Sequence, residues 1–372
     1  MLNPLPLRPA PNHRETIPSF LSRIAAMNGV GAADFALDMG FSLKRIINLE
    51  EVAVRSLAAC GGLTDGQVDE LISWTGRGGG DVRMVFRGEE FGSRALRNPI
   101  IRGCPVCLRE DTEVDRDRPL IQMTMRGDWQ MREINLCVEH RHPLLQLWNH
   151  ILPTDRYDLS SRFAEILDDV MEGRLDQPFI QPSPYDFWLD TRLQTGADNT
   201  WLADHTLYAA TTFCTLLGTE LLRLETVSHL DKGAPLRRAR TLGFGVASQG
   251  EVAILKALSE LATLADSSSA GPQKAFGRLF VDFSQAHLDK ADFTPFRKIL
   301  RDSIVDIWPV SAGETVLGIV QPERQLHSIL TASRETGIGQ ELLERFLTDI
   351  PQVACHLTRR SPDQACGSSI FY

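Results

Sequence analysis

The 372-residue sequence predicts a mainly α fold. Three observations predict it. Apolar residues recur at i, i+3, i+4 and i+7 through most of the chain. Strand signals are few and short, confined to Val82–Phe86, Gln122–Met125 and Thr315–Val320. Two short pairs interrupt the helical pattern: Cys104-Pro105-Val106-Cys107 and, 29 residues later, Cys137-Val138-Glu139-His140.

The elements follow in order. Ile17–Met27 carries Phe20, Leu21, Ile24 and Ala25 at helical spacing, with Pro18 near its start and Asn28-Gly29 as a stop. Ala32–Met39 is a second short helix closed by Gly40, and Leu49–Ala59 a third that ends at Gly61-Gly62. Thr64 opens a fourth, through Trp74; its hydroxyl caps the first turn while Gln67 reaches back. Arg77-Gly78-Gly79-Gly80 breaks the pattern, and Gly80 to Gly103 reads as an irregular connector. From Arg77 to Arg109, seven arginines stand against Asp81, Glu89 and Glu90, a local excess of four positive charges. Such a stretch is either a solvated linker or a phosphate-contacting surface.

Past Trp148, Phe163, Ile166, Leu167, Val170 and Met171 form one helical stripe closed by Gly173. A turn rich in proline (Pro178, Pro182, Pro184) follows, then a long apolar helix over Trp201–Leu222. Leu236–Arg240 holds three arginines in a loop. Ser248-x-x-Glu251 caps a helix that runs through Ala265, and Gln273–Leu288 and Pro295–Ile307 read as two more. The resulting organisation is an N-terminal helical domain (1–98), a small metal-binding module (99–150), a helical region (151–240) and a C-terminal helical domain (241–372).

Composition bounds the function. Hydrophobic residues make up 43% and charged residues 23%, the balance of a folded globular chain. Lys+Arg 39 against Asp+Glu 48 gives a net charge of −9, which excludes a polybasic DNA-coating protein but not a local basic face. Six of the basic residues are Lys, a bias that arginine-rich codon usage accounts for. No run of about 18 apolar residues predicts a membrane span. Met1–Pro18 has five prolines and no apolar stretch of a signal peptide, so a cytoplasmic location with reduced thiols is expected.

In that setting the two pairs predict one structural Zn2+ held by Cys104, Cys107, Cys137 and His140. Each pair forms a tight knuckle that points two ligands at one ion, and two knuckles complete a tetrahedron. Three thiolates and one imidazole leave no open coordination position, as a catalytic zinc would require. His142 and His150 are substitutes for His140, but only His140 keeps the two-residue spacing. Cys60, Cys214 and Cys355 sit in apolar contexts as core residues, and Cys366 in a terminal tail.

The run Thr16-Ile17-Pro18-Ser19-Phe20-Leu21-Ser22-Arg23-Ile24-Ala25, followed by the cysteine pairs and by Trp129 upstream of Cys137-x-x-His140, resembles the TniQ family. Its members are bacterial transposition proteins related to target selectors of Tn-seven-like elements. The family's C-P-x-H ending, followed by a small residue and Pro-Leu, reads here Cys137-Val138-Glu139-His140-Arg141-His142-Pro143-Leu144. Val138 replaces the proline. Trp148 stands where many relatives have another cysteine, so a second zinc finger is not expected. The resemblance is best from Thr16 to Leu147 and weaker through Phe276–Leu300 and the C-terminal helices. It implies a non-catalytic adaptor that helps select target DNA and recruits an AAA+ ATPase, and through it a DDE transposase. Some members bind DNA by sequence; others dock on an RNA-guided effector complex. A homodimer is left open.

The stretch from Leu326 to Asp349 reads as a helix-turn-helix: Ser333 is small at the crossing, Gly337 lies at the turn, and Ile338 and Leu343 supply packing. In a major groove, Gln340, Glu341, Glu344 and Arg345 would face the bases, with Arg334 near the backbone. Two glutamates facing phosphates are unfavourable, so a protein-contacting pair is the competing reading. Arg359-Arg360 and the cluster Arg237, Arg238 and Arg240 are the other basic candidates. No P-loop, nucleophile elbow or His-Glu-x-x-His motif supports an enzyme. A stand-alone zinc-containing transcription regulator is the alternative, and sulfur-rich ligation argues against a zinc hydrolase.

Overall fold

The computed structural model describes residues 3–80, 82–96, 99–224, 234–264, 271–285, 291–308, 310, 313–320 and 329–348. Helices dominate these residues and strands form only short antiparallel ladders, so the fold is mainly α. The chain divides into two compact units, Met1–Thr211 and Thr212–Tyr372. Among the described residues no helix is long and apolar enough to cross a membrane.

Unit 1 begins with helices Ile17–Met27, Ala32–Asp38, Leu43–Ile47, Glu51–Gly61 and Asp65–Thr75. Their apolar faces make one core, in which Phe20, Leu21 and Ile24 join Phe35, Leu43, Ile46, Leu57 and Leu71. Burying each of the larger side chains contributes about 1.5–3 kcal/mol. The Thr16 hydroxyl accepts from the Ser19 N–H with Pro18 in the first turn, and Thr64 and Gln67 form the expected capping box. Leu43–Ile47 was not expected; five residues are too few to show a period.

The segment after Thr75 is not an irregular connector. Arg77–Gly78, Arg83–Phe86 and Glu89–Gly92 form a three-stranded antiparallel sheet. Arg87 and Gly88 take positive φ (51° and 79°), the turn whose twist suits a two-residue hairpin. Met84, Phe86 and Phe91 are buried, and Trp74 meets Phe86 edge-on at 5.8 Å. Three arginines of this stretch, Arg87, Arg102 and Arg109, brace backbone carbonyls of the fold, and Arg83 forms a surface pair. Arg83 pairs with Glu90. Arg87 donates to the Leu193 and Gln194 carbonyls and stacks over Trp74. Arg102 donates to the carbonyls of Trp129, Met131 and Ile134. Arg109 donates to the Val170 carbonyl and pairs with Asp176.

The expected strand over Gln122–Met125 is absent. Pro119–Gln122 is a helical turn, and beyond it the chain touches the N-terminal segment through the Glu15–Arg126 bridge. Unit 1 continues with Leu159–Met171, where Phe163 and Val170 are buried, and with Pro184–Thr195. The latter starts at a Ser183–Asp186 capping box that the surrounding prolines concealed. The long helix expected over Trp201–Leu222 is divided into a 3-10 turn, Trp201–Asp204, and the helix Leu207–Leu224.

Unit 2 contains helices Ala234–Ala247, Glu251–Leu264, Pro272–Phe283 and Thr294–Ile307, then the hairpin Thr315–Val316 with Ile319–Val320. Leu236–Arg240 is therefore helix, not loop. Gly218 and Gly243 let two helices approach until a Cβ on either would strike the facing backbone, at Ala239 and Cys214 respectively. Pro272–Phe283 is interrupted at Gly277, and the Glu220 carboxylate accepts the Arg278 N–H there at 2.7 Å. Helices Ile329–Thr336 and Gln340–Thr348 are joined by Gly337-Ile338-Gly339, with Gly337 at φ 72° and the Ser333 hydroxyl donating to the Ile338 carbonyl. Residues 326–328 and 349, with Cys355, Arg359, Arg360 and Cys366, lie outside the described residues.

Candidate metal centre

A two-stranded ladder assembles the centre. Ile100–Gly103 pairs antiparallel with Leu145–Asn149, from Ile100 opposite Asn149 to Gly103 opposite Leu145. This pairing holds the two ends of the module side by side. At the end of the first strand Cys104 becomes the N-cap of the helix Pro105–Asp111, whose proline favours that start, and Cys107 follows inside its first turn. The second knuckle is the tight hairpin Leu136–Cys137 with His142–Pro143, in which Arg141 takes φ 54° and turns the chain just after His140.

The ligand atoms of Cys104, Cys107, Cys137 and His140 all lie within 4.8 Å of one another. The Sγ atoms of Cys107 and Cys137 are 3.6 Å apart. His140 Nδ1 stands 3.9, 3.1 and 3.5 Å from the sulfurs of Cys104, Cys107 and Cys137. Zinc–sulfur bonds of about 2.3 Å and zinc–nitrogen bonds of about 2.0 Å at tetrahedral angles require S···S edges of about 3.8 Å and S···N edges of about 3.5 Å. The cluster can hold a metal ion of that size, and its soft sulfur donors suit zinc.

Charge makes the same point. Hydrogen bonds from Cys107 and Cys137, and from the N–H groups of Cys107 and Val106, pull Cys104 down to about 4. Cys107 is pushed up, first by Cys104 and then by Cys137. His140 is raised by its hydrogen bond to Cys137 and by the nearby Glu110 carboxylate. Without a cation Cys104 and Cys107 cannot both ionise; a divalent ion relieves that repulsion.

Outside the four side chains, Glu110 Oε2 lies 2.7 Å from His140 Nε2. The largely buried Arg126 pairs with Asp111 at 2.9 Å and stacks over Trp129 at 5.2 Å. Neither Glu110 nor Arg126 was singled out from the sequence. The signal for Glu110 is its place three residues after Cys107 on one helix, which puts both on one face. The substitute histidines are engaged elsewhere: His142 Nε2 accepts the Gln177 N–H, and His150 Nε2 bonds Arg162. Cys60 and Cys214 are buried core residues, as expected.

The basic candidates scatter. Arg237, Arg238 and Arg240 share the helix Ala234–Ala247, with Arg238 exposed and Arg240 buried at 6% exposure. Arg334 is half-buried and lies 4.5 Å over the Trp308 ring. Gln340 and Arg345 are exposed on the last described helix, together with the apolar Leu342 and Phe346.

Among curated proteins none matches the chain. The TniQ family model matches residues 6–144, a span that begins before the first helix and ends just past the second knuckle. Residues 6–144 of this protein are a TniQ domain, which associates it with transposition.

Proposed function

We propose that the protein is a non-catalytic adaptor of DNA transposition, which helps select target DNA and recruits an AAA+ ATPase and, through it, a DDE transposase. One observation carries this reading: a Cys3His cluster that can hold a metal ion lies within the span matched by the TniQ family model. Three thiolates and an imidazole around one Zn2+ leave no position for a reacting water, so the metal contributes folding energy and not chemistry. Cys104, Cys107, Cys137 and His140 are its ligands. Bound zinc supplies the positive charge that keeps three thiolates together at the junction of the two knuckles. DNA contacts fall to exposed side chains, Arg238, Gln340 and Arg345, in preference to Arg240 and Arg334, which are withdrawn into the fold.

An affinity pull-down of the tagged protein from its own cells, with and without nuclease, tests the adaptor. Recovery of an AAA+ ATPase or a transposase in both samples is the expected result. Recovery of neither, with specific DNA fragments retained instead, would favour a stand-alone zinc-containing transcription regulator.

A further inference from the structure

We infer that Glu110 is a positioning residue of the metal centre: its carboxylate holds the Nε2–H of His140, so that the imidazole ligates through Nδ1. This rests on the reading of the Cys3His cluster as a zinc site. The two ring nitrogens face different partners. Nδ1 stands among the three sulfurs, the nearest at 3.1 Å, while Nε2 lies 2.7 Å from Glu110 Oε2. An imidazole that binds a metal must be neutral, with its one proton on the other nitrogen. Here that proton has a carboxylate waiting for it.

The backbone builds this arrangement. Cys107 and Glu110 are three residues apart on the helix Pro105–Asp111, so one face presents a ligand and, a turn later, the group that orients the opposite ligand. Glu110, Glu139 and His140 form a second cluster within 4.8 Å. It shares the His140 imidazole with the first cluster, so the trio belongs to the same centre and is not a second one. A carboxylate on a ligating histidine fixes the tautomer and ring orientation and raises ligand basicity, and its loss typically costs 10–100-fold in metal affinity.

The test uses the full-length, zinc-loaded protein and its Glu110→Ala and Glu110→Gln variants. Zinc per chain, release to a chromophoric chelator, and two-bond 1H–15N NMR of the histidine rings are measured. The wild type should show His140 metal-bound at Nδ1 and protonated at Nε2. Glu110→Ala should release zinc about 10–100-fold faster and lose the slowly exchanging Nε2–H. Glu110→Gln, which keeps an acceptor oxygen, should recover most of both. A zinc-loaded wild type with the proton on Nδ1, or Glu110→Ala releasing zinc within twofold of the wild type, overturns the inference alone. A wild type that holds no zinc overturns the metal reading and the inference with it.

Discussion

Replacing Arg23 by methionine tests how the N-terminal segment is fastened. The Arg23 guanidinium lies 2.7 Å from Glu15 Oε2, with side-chain exposures of 4% and 0%. It also donates to the carbonyls of Ile121 at 2.7 Å and Ala10 at 3.2 Å. Methionine fills much of the volume but leaves Glu15 as a buried carboxylate without its counter-ion, a loss of about 3–5 kcal/mol at pH 7. The pH dependence has a definite sign. Burial raises Glu15 above its ordinary value even though Arg23 opposes the shift, so loss of Arg23 raises it further. A carboxyl raised in the folded state favours folding at low pH, and that contribution fades as pH rises through the folded value. The penalty of Arg23→Met should therefore shrink on acidification toward pH 4, to the roughly 1–3 kcal/mol that the unbonded carbonyls cost on their own. Urea denaturation of wild type and variant at both pH values, followed by tryptophan fluorescence, measures it. A loss below about 1 kcal/mol at pH 7, or an equal loss at both pH values, would refute the reasoning.

Three further outcomes are expected. Gly127→Ala places a methyl group on the Trp74 carbonyl oxygen while the Gly127 N–H is bonded to the Arg14 carbonyl, so neither side can yield; a drop of about 5 °C or more in melting temperature is expected, and an unchanged midpoint contradicts it. Arg102→Ala removes charged hydrogen bonds to three carbonyls around Trp129 and should cost about 2–4 kcal/mol by urea titration, whereas an unchanged midpoint would make those bonds idle. Cys104→Ser, or stripping the metal with chelator, should unfold the knuckles while the helices of residues 234–264 keep slow amide exchange. Complete loss of helical circular dichroism would contradict that.

Local physics made part of this fold legible. Thr64 and Gln67 announce their helix because a capping box is complete within four residues, and the paired cysteine spacings announce their cluster for the same reason. Of the sheet over Arg77–Gly92 the strand signal at Val82–Phe86 was legible, but the hairpin was hidden because its turn uses Arg87 in a left-handed conformation. That arginine is tied down by the Leu193 and Gln194 carbonyls, more than a hundred residues away. The ladder between Ile100–Gly103 and Leu145–Asn149 is equally non-local, yet it is what brings the two knuckles together. Arginine-rich stretches misled for a related reason: a guanidinium that braces carbonyls inside the fold looks, in sequence, the same as one that waits for phosphate.

X-ray absorption at the zinc edge on the purified full-length protein, together with metal content, tests the closed centre most directly. One zinc per chain is expected, with three sulfurs at about 2.3 Å and one nitrogen at about 2.0 Å. Well under one zinc per chain, or an oxygen ligand in place of a sulfur, would contradict a closed structural site.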